Sequence, residues 1–255
     1  MLNSWENMAV IIVCVTLSCT FLVSLNRFWS PEKRRVHNDV IGWQITVIGT
    51  IYAVMIGFML YAVWGNYQAA DANVSGEANS AVNLFRIAAG LPAEQRDAIQ
   101  KLSEDYANAM VTDEWPAMDK GKFGLSSREI IRGLWTVTTG TVATTNSQQT
   151  SLDHALYALT ELTQHRRLRE LQSHSTLPAI LWAVLICGGV ITIVACCLIG
   201  SENARLHFAL IVALSLMISL TLTAIGDIDG PFRGSVHVSS YDFVQAQQTM
   251  AEWRR

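Results

Sequence analysis

Charge is scarce in this sequence of 255 residues. Only 15% of them are Asp, Glu, Lys or Arg, while 51% are hydrophobic; a soluble globular domain carries roughly 25% charged residues. The shortage is concentrated in a few uninterrupted apolar blocks, which excludes a purely soluble protein. A basic surplus is missing too. The formal net charge is −3 and the pI is near 6.1, which argues against a nucleic-acid partner, because such proteins carry a basic stripe or surplus. The signatures of catalysis are absent as well: there is no His-Glu-x-x-His, no glycine-rich phosphate loop and no Gly-x-Ser-x-Gly. The histidines are scattered, and their one helical pairing, Glu161 with His165 at i, i+4, reads as a surface ion pair. No cysteine lies in a polar stretch. Cys14, Cys19, Cys187, Cys196 and Cys197 all fall inside apolar runs, match no metal-ligand spacing and read as small packing residues. No catalytic residue, cofactor or metal site is expected.

What is present begins with four apolar runs, 8–26, 40–64, 178–200 and 207–226, each near the roughly 20 residues needed to cross a bilayer core. The first lacks the basic start and the small-residue cleavage site of a signal peptide, so it reads as a retained membrane helix. The resulting organisation is a pair of spans in 1–64, an extramembrane domain in 65–177, a second pair in 178–226 and a C-terminal tail in 227–255. The loop at 27–39 and the turn at 201–206 share one side of the membrane and carry Arg27, Lys33, Arg34, Arg35 and Arg205. The positive-inside rule weights short loops and the first helix most, and by about one charge it favours a cytoplasmic position for that side.

The extramembrane segment is helical in period throughout. Apolar residues recur at steps of three or four through Val74, Ala78, Val82 and Phe85, through Ile99, Leu102, Tyr106 and Met110, through Ile130, Leu134 and Val137, and through Leu152, Leu156, Leu159 and Leu162. Starts are signalled by Pro92 ahead of Glu94, by Ser126 with Glu129, and by Thr150 with Asp153. Breaks are expected at Gly90-Leu91-Pro92, from Trp115-Pro116 through Gly124, and across 140–149. No proline or turn signal separates the second span from the first domain helix, so the two are expected to form one helix of about 50 residues, roughly 75 Å long at 1.5 Å per residue. With no alternating strand pattern, the fold class is an all-α membrane protein, four transmembrane helices with a helical domain inserted between the second and third.

Several local patterns together resemble one family: Asn38-Asp39-Val40-Ile41-Gly42, Gly57-Phe58, Glu77-Ala78-Asn79, Glu114-Trp115-Pro116, the arginine segment 162–171, Leu177-Pro178 with Trp182, and Asp227-Ile228-Asp229-Gly230-Pro231-Phe232-Arg233-Gly234. They are similar to the bestrophin-like (DUF4239) membrane proteins of bacteria and plants. True bestrophins are pentameric anion channels whose second membrane helix lines a hydrophobic neck, and their large helical portion is cytosolic, the reverse of the side favoured by the charge count. The resemblance implies a multi-pass protein of the bacterial cell membrane, a homo-oligomer with inorganic ions as its cargo and the lipid bilayer as its surroundings. Anchored on Gly57-Phe58, it places Thr50, Val54 and Phe58 on the pore-facing side; the residues themselves leave Ile48 and Met55 open as alternatives to Thr50 and Val54, and the eight-residue step of Gly49 and Gly57 equally reads as close helix packing. Thr50 departs from the large apolar residue expected there, and the acidic calcium clasp of animal bestrophins has no counterpart.

Two other groups invite a role. Asp227 and Asp229 end the fourth run, where the helix dipole disfavours a carboxylate by up to about 1 kcal/mol; with Arg233 they read as an ion-pair latch, or alternatively as gating groups. Arg166, Arg167 and Arg169 precede Pro178 by two to three turns, and read either as partners of lipid phosphates and carboxylates or as a basic collar gathering anions at a pore mouth. Glu77 and Asp71, just beyond the second span, read as a cation-selecting or a solvated face. No Lys, Asp or Glu lies within the four runs, so a charged relay of the kind pumps use is absent. Two functions remain: an oligomeric ion channel, anion-conducting by resemblance, and a non-conducting membrane sensor or scaffold whose helical domain binds a partner.

Overall fold

The computed structural model describes residues 4–122, 124 and 126–254, and among these residues every regular element is a helix. In chain order they are α1 (Ser4–Phe28), α2 (Pro31–Arg35), α3 (Asn38–Ile87), α4 (Ala93–Ala109), α5 (Trp115–Asp119), α6 (Ser126–Thr139), α7 (Asn146–Gln172), α8 (Ala179–Cys197), α9 (Ala204–Ile228) and α10 (Tyr241–Trp253). A single 3₁₀ turn, Ala88–Gly90, follows α3, and a π turn, Met110–Glu114, joins α4 to α5. The chain divides into two compact units, one of Met1–Gly65 with Thr176–Asp229, the other of Asn66–Ser175 with Gly230–Arg255.

In the first unit α1, the start of α3, α8 and α9 are long and apolar enough to cross a membrane. α1 packs mainly on α9 and also on α8, around Leu22, Cys197 and Ile211. The start of α3 touches this group sparingly. Between Asn38 and Gly65 only Tyr52 and Val63 are buried, Val63 against Leu185 and Ile225. The loop side of the unit is tied by specific polar contacts. Asn38 exchanges two 2.9 Å bonds with the backbone of Gly200, its amide donating to the carbonyl and its oxygen accepting from the N–H. Arg34, counted in the sequence as a loop charge, is wholly buried. It donates to the Cys197 carbonyl at 2.6 Å and to the Asn26 side chain, so its charge meets the negative C-terminal end of α8.

The second unit has a continuous apolar core. Along α3 the buried positions include Ala70, Val74, Glu77, Ala78, Ala81, Leu84 and Phe85, and Ala88 continues them in the 3₁₀ turn, the three-and-four rhythm of one helix face. Against it lie Ile99 and Tyr106 of α4, Leu134 of α6, Leu159 and Leu162 of α7, and Phe243, Ala246 and Met250 of α10. Two boundaries differ from the sequence expectation. α7 begins at Asn146, ahead of the apolar rhythm that starts at Leu152, because Thr145 caps it: its hydroxyl accepts from the Gln148 N–H at 3.2 Å, while Gln148 Oε1 accepts from the Thr144 N–H at 2.9 Å. The break expected at Trp115-Pro116 is instead a wide helical turn. Pro116 has no N–H to offer and its ring crowds the preceding turn, and the chain absorbs this as the π turn before continuing helically to Asp119.

Candidate pore helix and a buried charge cluster

The membrane-spanning part of α3 has one covered and one uncovered side. Tyr52, Met55, Ile56, Met59 and Val63 face the rest of their unit, whereas Thr50, Val54 and Phe58, stacked at steps of four, are exposed, Val54 by 52% and Phe58 by 65%. Thr50 turns its hydroxyl back onto its own helix, donating to the Thr46 carbonyl at 2.7 Å, so the residue that departs from a large apolar side chain presents mainly its methyl. The three residues expected to line a pore therefore share one unoccupied stripe, and no Asp, Glu, Lys, Arg or His interrupts α3 between Val40 and Trp64.

The carboxylates at the end of α9 find donors on α1 and around the start of α8. Asp229 accepts from the Leu177 N–H at 2.7 Å and from the Trp182 indole at 3.3 Å, and Asp227 accepts from the Asn7 side-chain amide at 2.9 Å. The N-terminal end of α8, positive by its dipole, thus offsets the cost of placing Asp229 at the C-terminal end of α9. Arg233 was expected to supply that compensation. In its own unit it lies over Gly121, where an added Cβ would come within 2.7 Å of the guanidinium, and its Nε–H points at the Met118 carbonyl at 3.4 Å. Gly121 has φ +73°, a conformation that favours glycine there.

The arginine segment is placed otherwise than a solvent-facing collar requires. Only Arg167 is exposed. Arg166 is buried, donating to Ser127 Oγ at 3.2 Å and pairing with Glu170 at 2.8 Å. Arg169 is fully buried and grips the equally buried Glu77 bidentately, Nε to Oε2 at 2.8 Å and Nη2 to Oε1 at 3.2 Å. Glu114, set inward by the π turn, lies 3.6 Å from Arg169 Nη1 and accepts from Ser127 Oγ. The Tyr106 hydroxyl donates to Glu77. The Trp115 ring lies 5.7 Å from the Arg169 guanidinium carbon, held by its indole bond to the Val238 carbonyl at 3.0 Å and by edge contacts with Phe232 and Phe243.

The electrostatics of this cluster have clear signs. Burial opposes the charge on Arg169, but Glu77 first, then Tyr106 and Glu114, outweigh it and hold the guanidinium pKa above its ordinary value. Burial and then the Glu77 charge push the Tyr106 phenol well above its ordinary value, so it stays protonated and donating. Glu77 is therefore neither a solvated face nor a free cation ligand. Glu161 and His165 approach to 3.9 Å, and the histidine Nδ1 also meets Asn73 Oδ1 at 2.7 Å. No cluster of three metal-ligating side chains occurs among the described residues.

The residues of this cluster are those of the resemblance: Glu77, Glu114-Trp115, the 162–171 segment and Phe232 converge in one place. A profile of the bestrophin-like domain matches residues 11–243. The chain belongs to the bestrophin-like family. Among curated proteins no relative matches the sequence. Among solved structures, this member of the family is similar to a point variant of a membrane protein, with TM-score 0.70 and 12% identity over 96% of this chain and 97% of the other. It is also similar to variants of a bacterial bestrophin homologue from Klebsiella pneumoniae, one with TM-score 0.64 and 11% identity over 98% and 99% of the two chains, another with 0.63 and 14% over 96% and 97%. At these identities the likeness establishes the fold: an all-α integral membrane protein of bestrophin type.

Proposed function

We propose that this bestrophin-like protein is the subunit of a homo-oligomeric ion channel of the bacterial cell membrane, anion-conducting, with α3 lining the pore and Thr50, Val54 and Phe58 forming its narrow neck. The observation that carries the reading is the uncovered stripe of α3. A helix with its apolar face unmatched inside one chain, lacking any formal charge over its span, suits a ring in which each copy contributes one wall. Apolar constrictions of this kind gate by wetting and drying, and selectivity for anions there would arise without a fixed cation in the neck. Arg167, exposed between the buried Arg166 and Arg169, is the one residue of the expected collar that still suits an ion-facing role. Family membership favours a pentamer. The mass of the purified protein in detergent, by native mass spectrometry, tests this: a ring of five copies supports the channel, and a monomer or dimer overturns it.

The second reading, a non-conducting sensor or scaffold, draws on a polar groove of about 310 Å³ between α3 and α10, lined by Ser75, Asn79, Arg86, Asp242, Gln245 and Thr249. It becomes the leading account if the chain proves not to form a ring.

A further inference from the structure

The membrane part of α3 is held to its own unit by very little, and the main contact is a ring set onto two glycines. Tyr52 is 5% exposed on a helix whose other residues between Asn38 and Gly65, save Val63, are not buried. Its ring lies directly against α8. A Cβ added at Gly188 would come within 2.6 Å of Tyr52 Cδ2, and one added at Gly189 within 2.8 Å of the Tyr52 hydroxyl oxygen and 3.1 Å of Ile218 Cγ2 on α9. Real Cβ atoms do not approach that closely, so both glycines are needed for the ring to sit where it does. The hydroxyl has no hydrogen-bond partner among the described residues, which makes the fit one of shape. Eleven residues on, Val63 provides the second contact, against Leu185 and Ile225. These contacts, three turns apart on one side of the helix with the half-buried Met55, Ile56 and Met59 between them, fix its rotation about its own axis.

We infer that Tyr52, seated on Gly188-Gly189, is the positioning residue that sets the rotation of α3 and so decides that Thr50, Val54 and Phe58 face away from their own subunit. The inference rests on the channel reading for its functional consequence, and on the packing alone for its structural one. Small residues at a helix interface allow such close approach in membranes. Here the small pair receives an aromatic side chain, which is rigid and has only two rotatable bonds, so the seat transmits angle as well as contact.

The test uses the purified full-length oligomer carrying either Phe58→Cys or Met59→Cys, reacted with N-ethylmaleimide and read peptide by peptide so that native cysteines are told apart. With Tyr52 intact, and with Tyr52→Phe, position 58 should react several-fold faster than position 59. Tyr52→Ala and Gly189→Ala should each bring that ratio towards one, and adding Gly188→Ala to Tyr52→Ala should change it little further, because only Tyr52 crowds a Cβ at that position. Anion flux per folded oligomer should follow the same order. An unchanged ratio in Gly189→Ala and Tyr52→Ala overturns the inference, as does a lowered melting temperature with ratio and flux both unchanged. Should Gly189→Ala fail to fold, the comparison of Tyr52→Phe with Tyr52→Ala decides. A wild-type protein that passes no anions sinks the conduction reading, while the labelling ratio still judges the seat.

Discussion

Glu77 and Arg169 meet as a two-bonded ion pair with no exposed surface on either side chain, at 2.8 and 3.2 Å. Such pairs are weak evidence for stability in themselves, because desolvation offsets their attraction, but removing one partner leaves an uncompensated buried charge. In this cluster the arginine faces two carboxylates, Glu77 and Glu114, so it is the most costly member to lose.

Arg169→Met should therefore destabilise the helical domain by about 3–5 kcal/mol, seen as a large fall in melting temperature in detergent. Arg169→Lys should recover little, because an ammonium cannot bond both Glu77 oxygens in the plane of the carboxylate. Glu77→Gln keeps an acceptor for Tyr106 and should be milder.

Alkaline stability should report Tyr106. Its folded pKa is raised, by burial and by Glu77, so the stability it contributes is complete below the unfolded phenol value of about 10 and is lost as pH rises above it, since only the unfolded chain releases the proton there. Tyr106→Phe should flatten the fall in stability above about pH 10 while lowering the plateau below it by about 1–3 kcal/mol, through the lost donor to a buried carboxylate. Denaturation followed between pH 7 and 11 measures both effects.

Asp229 should matter through α8. Asp229→Ala strands the Leu177 N–H and the Trp182 indole and should cost about 1–3 kcal/mol, with Asp229→Asn milder because an acceptor oxygen remains. Arg233→Ala should act through the turn at Met118 to Gly121. If Arg233 and Asp229 formed a latch, the double variant would cost no more than either single one; additive losses in thermal melting are expected instead.

Much of this was legible in the sequence because it rests on periodicity and on missing charge. The four spans follow from uncharged length, and the domain helices from apolar steps of three and four. The start of α7 was not legible, since Thr145 and Gln148 look like loop residues until their reciprocal cap is formed. The helix α10 was passed over as tail, although Phe243, Ala246 and Met250 carry the same rhythm. The charge cluster was hidden because its members lie far apart in sequence and charged residues ordinarily face water. A signal existed: Glu77 falls between Val74 and Ala81 on the core face of α3, and Arg166 and Arg169 extend the stripe of Leu159 and Leu162 on α7. The uncovered stripe of α3 was placed by resemblance, and its exposure depends on where Tyr52 and Val63 dock, which no local pattern states.

The neck itself is tested most directly by anion flux from liposomes carrying purified protein at matched density, comparing wild type, Phe58→Ala and Met59→Ser. An apolar ring excludes water when narrow, so trimming Phe58 should widen and wet it. Wild-type flux above that of empty liposomes, raised several-fold by Phe58→Ala and changed less than about twofold by Met59→Ser one position round the helix, is the predicted result. No flux in either wild type or Phe58→Ala, or an effect of Met59→Ser as large as that of Phe58→Ala, would contradict it.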